Sequence, residues 1–193
     1  MKHFCIDIDN VIAQTDRVMR KVIAEHTNGR VQLEYSDIVD YDYYKCADRN
    51  DNKITPAEWR AIHLLFSEKR NLWQVEPTSG AVQGLQRLAE KAVLHFATAR
   101  LPKARAVTIE WLADYEFPKH DLHFLQHGEK HSSLRPFRAA VEDHYDQAKS
   151  FATLGDTPCF LLRHPWNHGQ PAVHNVFPVE DWVQLTDRLL ELA

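Results

Sequence analysis

Cysteine is scarce in this chain. Only Cys5, Cys46 and Cys159 occur among 193 residues, odd in number and far apart. That excludes a disulfide framework and predicts a reducing, cytoplasmic setting. Positive charge is also short: 23 Lys and Arg face 27 Asp and Glu, for a net charge of −4. No basic field for a nucleic-acid polymer or an anionic membrane is therefore expected. No apolar run is long enough to cross a bilayer. Asp7 and Asp9 interrupt the apolar stretch near the N-terminus, which lacks the basic-then-apolar order of a signal peptide. The six glycines are scattered, with neither G-x-G-x-x-G nor a Walker A loop, which argues against dinucleotide enzymes and P-loop kinases. Repeats and low-complexity segments are missing too. What remains is an ordinary globular composition, 44% hydrophobic and 26% charged, enough for one domain with a small insertion.

Periodicity gives the outline of a fold. Residues 4–8, 92–97, 122–125, 139–141 and 159–162 read as short apolar strands. Between and after them, 80–90, 103–114, 145–154 and 179–192 carry helical spacing, the last with Pro178 near its start. Strands alternating with helices imply an α/β fold, a mostly parallel, Rossmann-like sheet flanked by helices. Residues 16–75 do not alternate. They hold a helix around 18–25, an aromatic polar loop at Tyr41, Tyr43 and Tyr44, and a helix over 56–69. Thr55-Pro56-Ala57-Glu58 is a helix start with a capping box. This stretch is expected to form a small helical cap inserted after the first strand, with 1–15 and 76–193 making the core domain.

The chemistry-bearing residues fall at the ends of strands, where an open parallel sheet binds its ligands. Asp7 and Asp9 close the first strand. Two adjacent carboxylates repel unless a cation or a shared proton offsets them, so the pair suits a hard divalent cation such as magnesium. It also suits an aspartate nucleophile that takes a phosphoryl group. Thr98-Ala99-Arg100 ends the second strand, and Glu142-Asp143 ends a later one, preceded by Gly128-Glu129-Lys130. Each alone is a plain turn, cap or surface residue. Together they supply a nucleophile, metal-binding carboxylates, a phosphate-binding hydroxyl and a cation, the parts that phosphoryl transfer needs.

The order Asp7-Ile8-Asp9-Asn10-Val11, Thr98, Lys130 and Glu142-Asp143 resembles the four motifs of the haloacid dehalogenase-like (HAD) phosphohydrolases. Phe96-Ala97-Thr98-Ala99-Arg100, Thr108-Ile109-Glu110-Trp111-Leu112, Val141-Glu142-Asp143 and Arg163-His164-Pro165-Trp166-Asn167 are similar to the 5′-nucleotidase and 5′(3′)-deoxyribonucleotidase-like branch. The resemblance implies a HAD-type fold and a Mg²⁺-dependent phosphomonoester hydrolase. Asp7 would attack phosphorus, and Asp9 would act as general acid and then base. Thr98 and Lys130 would hold the phosphate, with Arg100 adding a contact to phosphate or substrate. Asp7, the backbone carbonyl of Asp9, Asp143 and Glu142 would hold the metal. The implied substrate is a small phosphorylated molecule, a nucleotide first and a sugar phosphate second. A binding protein that has lost turnover is the alternative from another class. Two departures stand out: Leu101 separates Arg100 from Pro102, and Val11 replaces a common Thr. Lys119 is the fallback for Lys130.

Three further signals favour plain explanations. Asp48 to Glu58 looks like a calcium loop, but Lys53 takes the required glycine position and Ile54 and Glu58 come one residue early. A polar loop before a capped helix is the simpler reading. His120, His123, His127 and His131 show no converging zinc geometry, since strand and loop are expected there. Trp59 and Phe66 are expected in the cap core, with Tyr41, Tyr43 and Tyr44 facing substrate.

Overall fold

The computed structural model of the protein describes residues 1–134 and 136–193. β1 (Lys2–Asp7) is buried from Phe4 onward, as a strand covered on both faces must be. A helical insertion follows it, holding α1 (Thr15–His26), α2 (Pro56–Phe66) and the one-turn α3 (Lys69–Leu72). The chain then alternates: α4 (Ala81–Ala89), β2 (Ala92–Thr98), α5 (Arg105–Asp114), β3 (His120–Phe124), the single turn α6 (Lys130–Ser133), β4 (Ala139–Glu142), α7 (Tyr145–Thr153), β5 (Cys159–Leu162), β6 (Val176–Val179) and α8 (Trp182–Leu192). The six strands pair in parallel in the order β3-β2-β1-β4-β5-β6. The expected α/β sheet flanked by helices, with its helical insertion after the first strand, is the fold observed.

Strand order reverses between β1 and β4. The chain runs outward from β1 to β2 and β3, then returns to the other side of β1 for β4. In such sheets the crevice beyond the carboxyl ends at the reversal is where ligands bind. Apolar residues of the insertion, including Val18, Ile23, Ile38 and Ile62, join the same buried cluster as Phe4 and Ile6 of β1, so insertion and sheet share a core.

Three elements depart from the sequence expectation. Residues 176–179 form a sixth strand, and α8 starts at Trp182 rather than at 179. Pro178 suggests a helix start, but β6 lies at the sheet's edge, where a strand tolerates proline because one side of its backbone needs no partner. Asp181 is the true cap, accepting from Gln184 N–H at 2.8 Å. The helix expected over 56–69 breaks after Phe66, where the Ser67 hydroxyl donates back to the His63 carbonyl at 2.8 Å. Its start is as expected: Thr55 Oγ1 accepts from Glu58 N–H at 3.2 Å and Glu58 accepts from Thr55 N–H at 2.7 Å. Asp48 accepts from the backbone N–H groups of Gln32, Asn50 and Asn52, which makes the calcium-like loop a self-bonded turn. No helix among the described residues is long and apolar enough to cross a membrane.

Candidate active site

Asp7 ends β1 and is 6% exposed. Its Oδ1 accepts from Ile8 N–H at 2.7 Å and pairs with Lys130 Nζ at 2.7 Å. The turn beyond it is tight: the N–H groups of Ile12 and Ala13 both donate to the Ile8 carbonyl at 3.0 Å. Asn10 holds a left-handed φ of 57°, which Asn tolerates. The Asn10 side chain accepts from Asp16 N–H at 2.8 Å and so anchors the start of α1.

Glu142 ends β4, Asp143 follows it, and both are buried. Lys130, on the turn of α6, is buried with them and reaches Glu142 Oε1 at 3.0 Å. Lys119 is exposed just before β3, at the other end of the sheet. Three carboxylates, those of Asp7, Glu142 and Asp143, each present an oxygen within 4.8 Å of the others. Glu142 Oε2 and both Asp143 oxygens are buried without a hydrogen-bond partner. A buried charged oxygen left unpaired is costly. Burial pushes the Glu142 carboxyl up to about 8, against the pull of Lys130 and with Asp7 adding repulsion. Burial raises Asp143 as well, with Asp7 and Glu142 adding to it. Asp7 is raised by burial in spite of Lys130. Burial opposes the charge on Lys130, yet Asp7 and Glu142 hold its pKa above the ordinary lysine value. One ammonium serves too many carboxylates here, and the orphaned oxygens have the hard-donor chemistry that magnesium takes.

Asp9 stands apart from that cluster. Arg100 Nε and a terminal guanidinium nitrogen donate to its Oδ1 at 3.1 and 2.8 Å, and Nε also reaches Oδ2 at 3.0 Å. Thr15 and Thr98 add hydroxyl bonds at 2.5 and 3.3 Å. Burial pushes Asp9 up, but Arg100 and these hydroxyls outweigh it and hold the carboxyl below its usual range. Arg100 clasps Asp9 and donates to the Thr108 hydroxyl. Thr98 is fully buried and donates to Asp9. The Asp9 carboxylate is therefore turned to Arg100 and held apart from the Asp7, Glu142 and Asp143 carboxylates.

These groups open into a cavity of about 510 Å³ between sheet and insertion, bordered by Tyr41, Trp59, Phe66, His127 and His144. Tyr41 meets the His144 ring edge-on at 4.3 Å. Trp59, expected in the cap core, lines the cavity and stacks on Tyr43 at 5.1 Å. Tyr43 is buried and donates to Asp16 at 2.8 Å. The turn His164-Pro165-Trp166-Asn167, a weak sequence signal, braces the site from behind. His164 Nε2 meets the Asn10 carbonyl at 2.7 Å, while Trp166 and Asn167 donate to the Asp143 carbonyl at 3.2 and 2.8 Å.

No family model matches the chain, and no curated protein does either. Solved structures do. A HAD family hydrolase from Deinococcus radiodurans with bound phosphate and sodium aligns over 100% of this chain and 96% of its own, at 12% identity and a TM-score of 0.63. The fold is that of the HAD hydrolases. A predicted phosphoglycolate phosphatase from Haemophilus somnus matches at 12% identity, covering 97% of each chain with a TM-score of 0.62. The HAD hydrolase YfnB from Bacillus subtilis, bound to magnesium, matches at 11%, covering 97% of this chain and 98% of its own, again at 0.62. These likenesses carry the HAD fold and do not reach the 5′-nucleotidase branch suggested by the sequence.

Proposed function

We propose that the protein is a magnesium-dependent phosphomonoester hydrolase working through an aspartyl-phosphate on Asp7. The observation that carries this reading is the buried Asp7–Lys130–Glu142–Asp143 cluster at the point where strand order reverses. Asp7 Oδ1 is held by Ile8 and Lys130, so Oδ2 is the oxygen assigned to attack phosphorus. The phosphorus–oxygen bond to the organic group breaks as the new bond forms. Lys130 steadies the negative charge on the phosphoryl oxygens and keeps Asp7 aimed. Asp9 gives a proton to the departing oxygen, then takes one from the water that cleaves the aspartyl-phosphate. Held by Arg100, Asp9 is a poor acid. The proposal therefore requires Arg100 to loosen its grip as the phosphate dianion arrives and competes for the guanidinium. Thr98, released with it, is the hydroxyl assigned to a phosphoryl oxygen. Asp7, Asp143, the Asp9 carbonyl and Glu142 would hold Mg²⁺, which supplies charge neutralisation at the phosphate when bound.

The substrate is a small phosphorylated molecule, and residues 16–75, acting as a cap, choose it. Lys130 and Arg100 are the cations of the cavity lining, which also holds Asp42 and Asp146. Such a lining suits an uncharged organic group, as in a sugar phosphate. The faces of Tyr41 and Trp59 favour a second reading, a nucleoside monophosphate, since aromatic side chains stack bases. The sequence profile fits a cytoplasmic enzyme. Phosphate release from sugar phosphates and from nucleoside and deoxynucleoside monophosphates, with Mg²⁺ or with EDTA, tests the reading. Mg²⁺-dependent release from one class supports it and picks the class. Release that EDTA does not reduce would overturn the metal assignment.

A further inference from the structure

Among the described residues a second group of ligand-type side chains converges at the β2–β3 side of the sheet, two strands from Asp7: His95, Asp121 and His123. His95 sits in the middle of β2. Asp121 lies directly across from it on β3, and His123 is two residues further along the same strand. Residues i and i+2 of a strand share a face, so this register brings all three side chains together. His95 Nδ1 is 3.1 Å from His123 Nε2 and 3.4 Å from Asp121 Oδ2. The ring centroids of the two histidines are 5.4 Å apart, with their planes within 22° of parallel. Tetrahedral zinc with bonds of about 2.0–2.1 Å separates its ligand atoms by about 3.3 Å. The two spacings from His95 Nδ1 bracket that value, and all three ligand atoms lie within 4.8 Å of one another.

The second shell fits as well. A zinc-bound histidine usually gives its other N–H to an acceptor that fixes its orientation. Here His95 Nε2 lies 2.8 Å from His3 Nδ1 on β1, and Phe137 packs edge-on against the His95 ring at 5.3 Å. His95 has a side chain only 4% exposed, whereas that of Asp121 is 62% exposed. One ligand is thus anchored in the sheet and another opens to solvent, which gives the ion a way in.

We infer that His95, Asp121 and His123 form a second cation site, for zinc or a similar borderline divalent ion, with water completing the coordination. Two nitrogens and one carboxylate suit zinc better than magnesium, which prefers oxygen donors. The site ties the edge strand β3 to β2 and is separate from the Asp7 cluster. Of the four histidines that the sequence brings together, only His123 takes part; His120 bonds the Pro118 carbonyl instead.

The test uses the full chain stripped with EDTA and titrated with Zn²⁺ against a chromophoric chelator. Wild type and Asp143→Asn should each bind one zinc at this site with equal affinity. Asp121→Asn and His123→Gln should weaken it by at least the ~10–100-fold typical of losing an outer-shell partner, and His3→Phe by about that factor. Circular dichroism checks that each variant folds, and the exposed Asp121 is the safest to change. With Co²⁺ as probe, wild type should show the strong visible absorption of a tetrahedral site and Asp121→Asn should lose it. Zinc affinity unchanged in both Asp121→Asn and His123→Gln would overturn the inference, as would zinc binding lost only in Asp143→Asn. Wild type that binds no zinc would show the histidines to be a hydrogen-bonded row and nothing more.

Discussion

Asp7, Glu142 and Asp143 meet beyond the ends of β1 and β4, all buried, offering oxygen alone. His95, Asp121 and His123 meet between β2 and the edge strand β3, offering two nitrogens and one oxygen, with Asp121 out in solvent. The first cluster packs three carboxyl groups together, and among the described residues Lys130 is the ammonium that pairs with two of them. Such a site is strained until a hard cation or a phosphate redistributes the charge. In the second, a histidine row can satisfy itself through hydrogen bonds without an ion. One sheet thus holds a cluster whose charge demands a partner and another whose geometry merely accepts one. The first is suited to turnover and the second to holding strands together.

The sharpest separation of the two comes from Asp7→Asn. Hydrolysis should fall by about 10⁴-fold or more, as expected when a covalent nucleophile is removed, while zinc affinity at His95 stays as in wild type. Steady-state phosphate release and chelator competition on the same preparation measure both. Residual hydrolysis near the wild-type rate would move the nucleophile elsewhere. Next in size is Lys130→Met. It strips the one buried ammonium from Asp7 and Glu142, and an uncompensated buried charge costs about 3–5 kcal/mol. Urea unfolding should show that loss in EDTA and a partial recovery in Mg²⁺. An equal loss in both conditions would mean that no cation shares the charge of these carboxylates.

The difference between the clusters also explains what could be read in the sequence. Asp7, Asp9, Thr98 and Glu142-Asp143 were legible because each stands near the end of an apolar run, and a parallel sheet gathers such ends at one edge; Lys130 lies on the one-turn α6 and was reached through the motif resemblance. The position of β4 beside β1 then follows from topology. His95 was not legible as a ligand, because it sits inside an apolar strand and its partners are set by the register of β2 against β3. A shift of one residue would turn Asp121 to the other face. β6 was hidden by Pro178, whose helix-start reading is equally good locally. The pairing of Arg100 with Asp9 was hidden too, since two residues 91 apart reveal their contact only once β1 and β2 are side by side.

That ion pair gives the third prediction. Charged hydrogen bonds of this kind are worth about 1.5–3 kcal/mol, and Arg100→Gln should cost that much stability at neutral pH. Asp9 is held below its ordinary value of 3.8, so the stability it lends is present above that pH and is lost as pH falls through its lower folded value. Arg100→Gln should remove this dependence. It should also let Asp9 rise, so the alkaline limb of kcat/KM, where protonated Asp9 disappears, moves to higher pH. A limb that does not move would exclude Asp9 as the acid. The zinc site should not respond, since the hydrogen bonds of Arg100 among the described residues go to Asp9, Thr98 and Thr108.

The smallest effect belongs to His164, which braces the turn after β1 through the Asn10 carbonyl and meets the Tyr35 hydroxyl at 2.7 Å. Burial lowers its pKa from 6.5 to about 4, although the bond to Asn10 works the other way. Folded protein therefore keeps His164 neutral where the unfolded chain takes up a proton. Stability is complete above pH 6.5 and declines as pH falls from 6.5 toward 4. His164→Gln keeps a donor for Asn10 but cannot titrate, so its stability curve should be flatter across that window. Unfolding midpoints measured from pH 7 to pH 4 decide it. A variant that loses stability with the same slope as wild type would assign the acid sensitivity to another group, with His144, also lowered by burial to about 4, next in line. Parallel zinc titrations at pH 7 should match wild type, because His164 braces the loop after β1 and touches neither β2 nor β3.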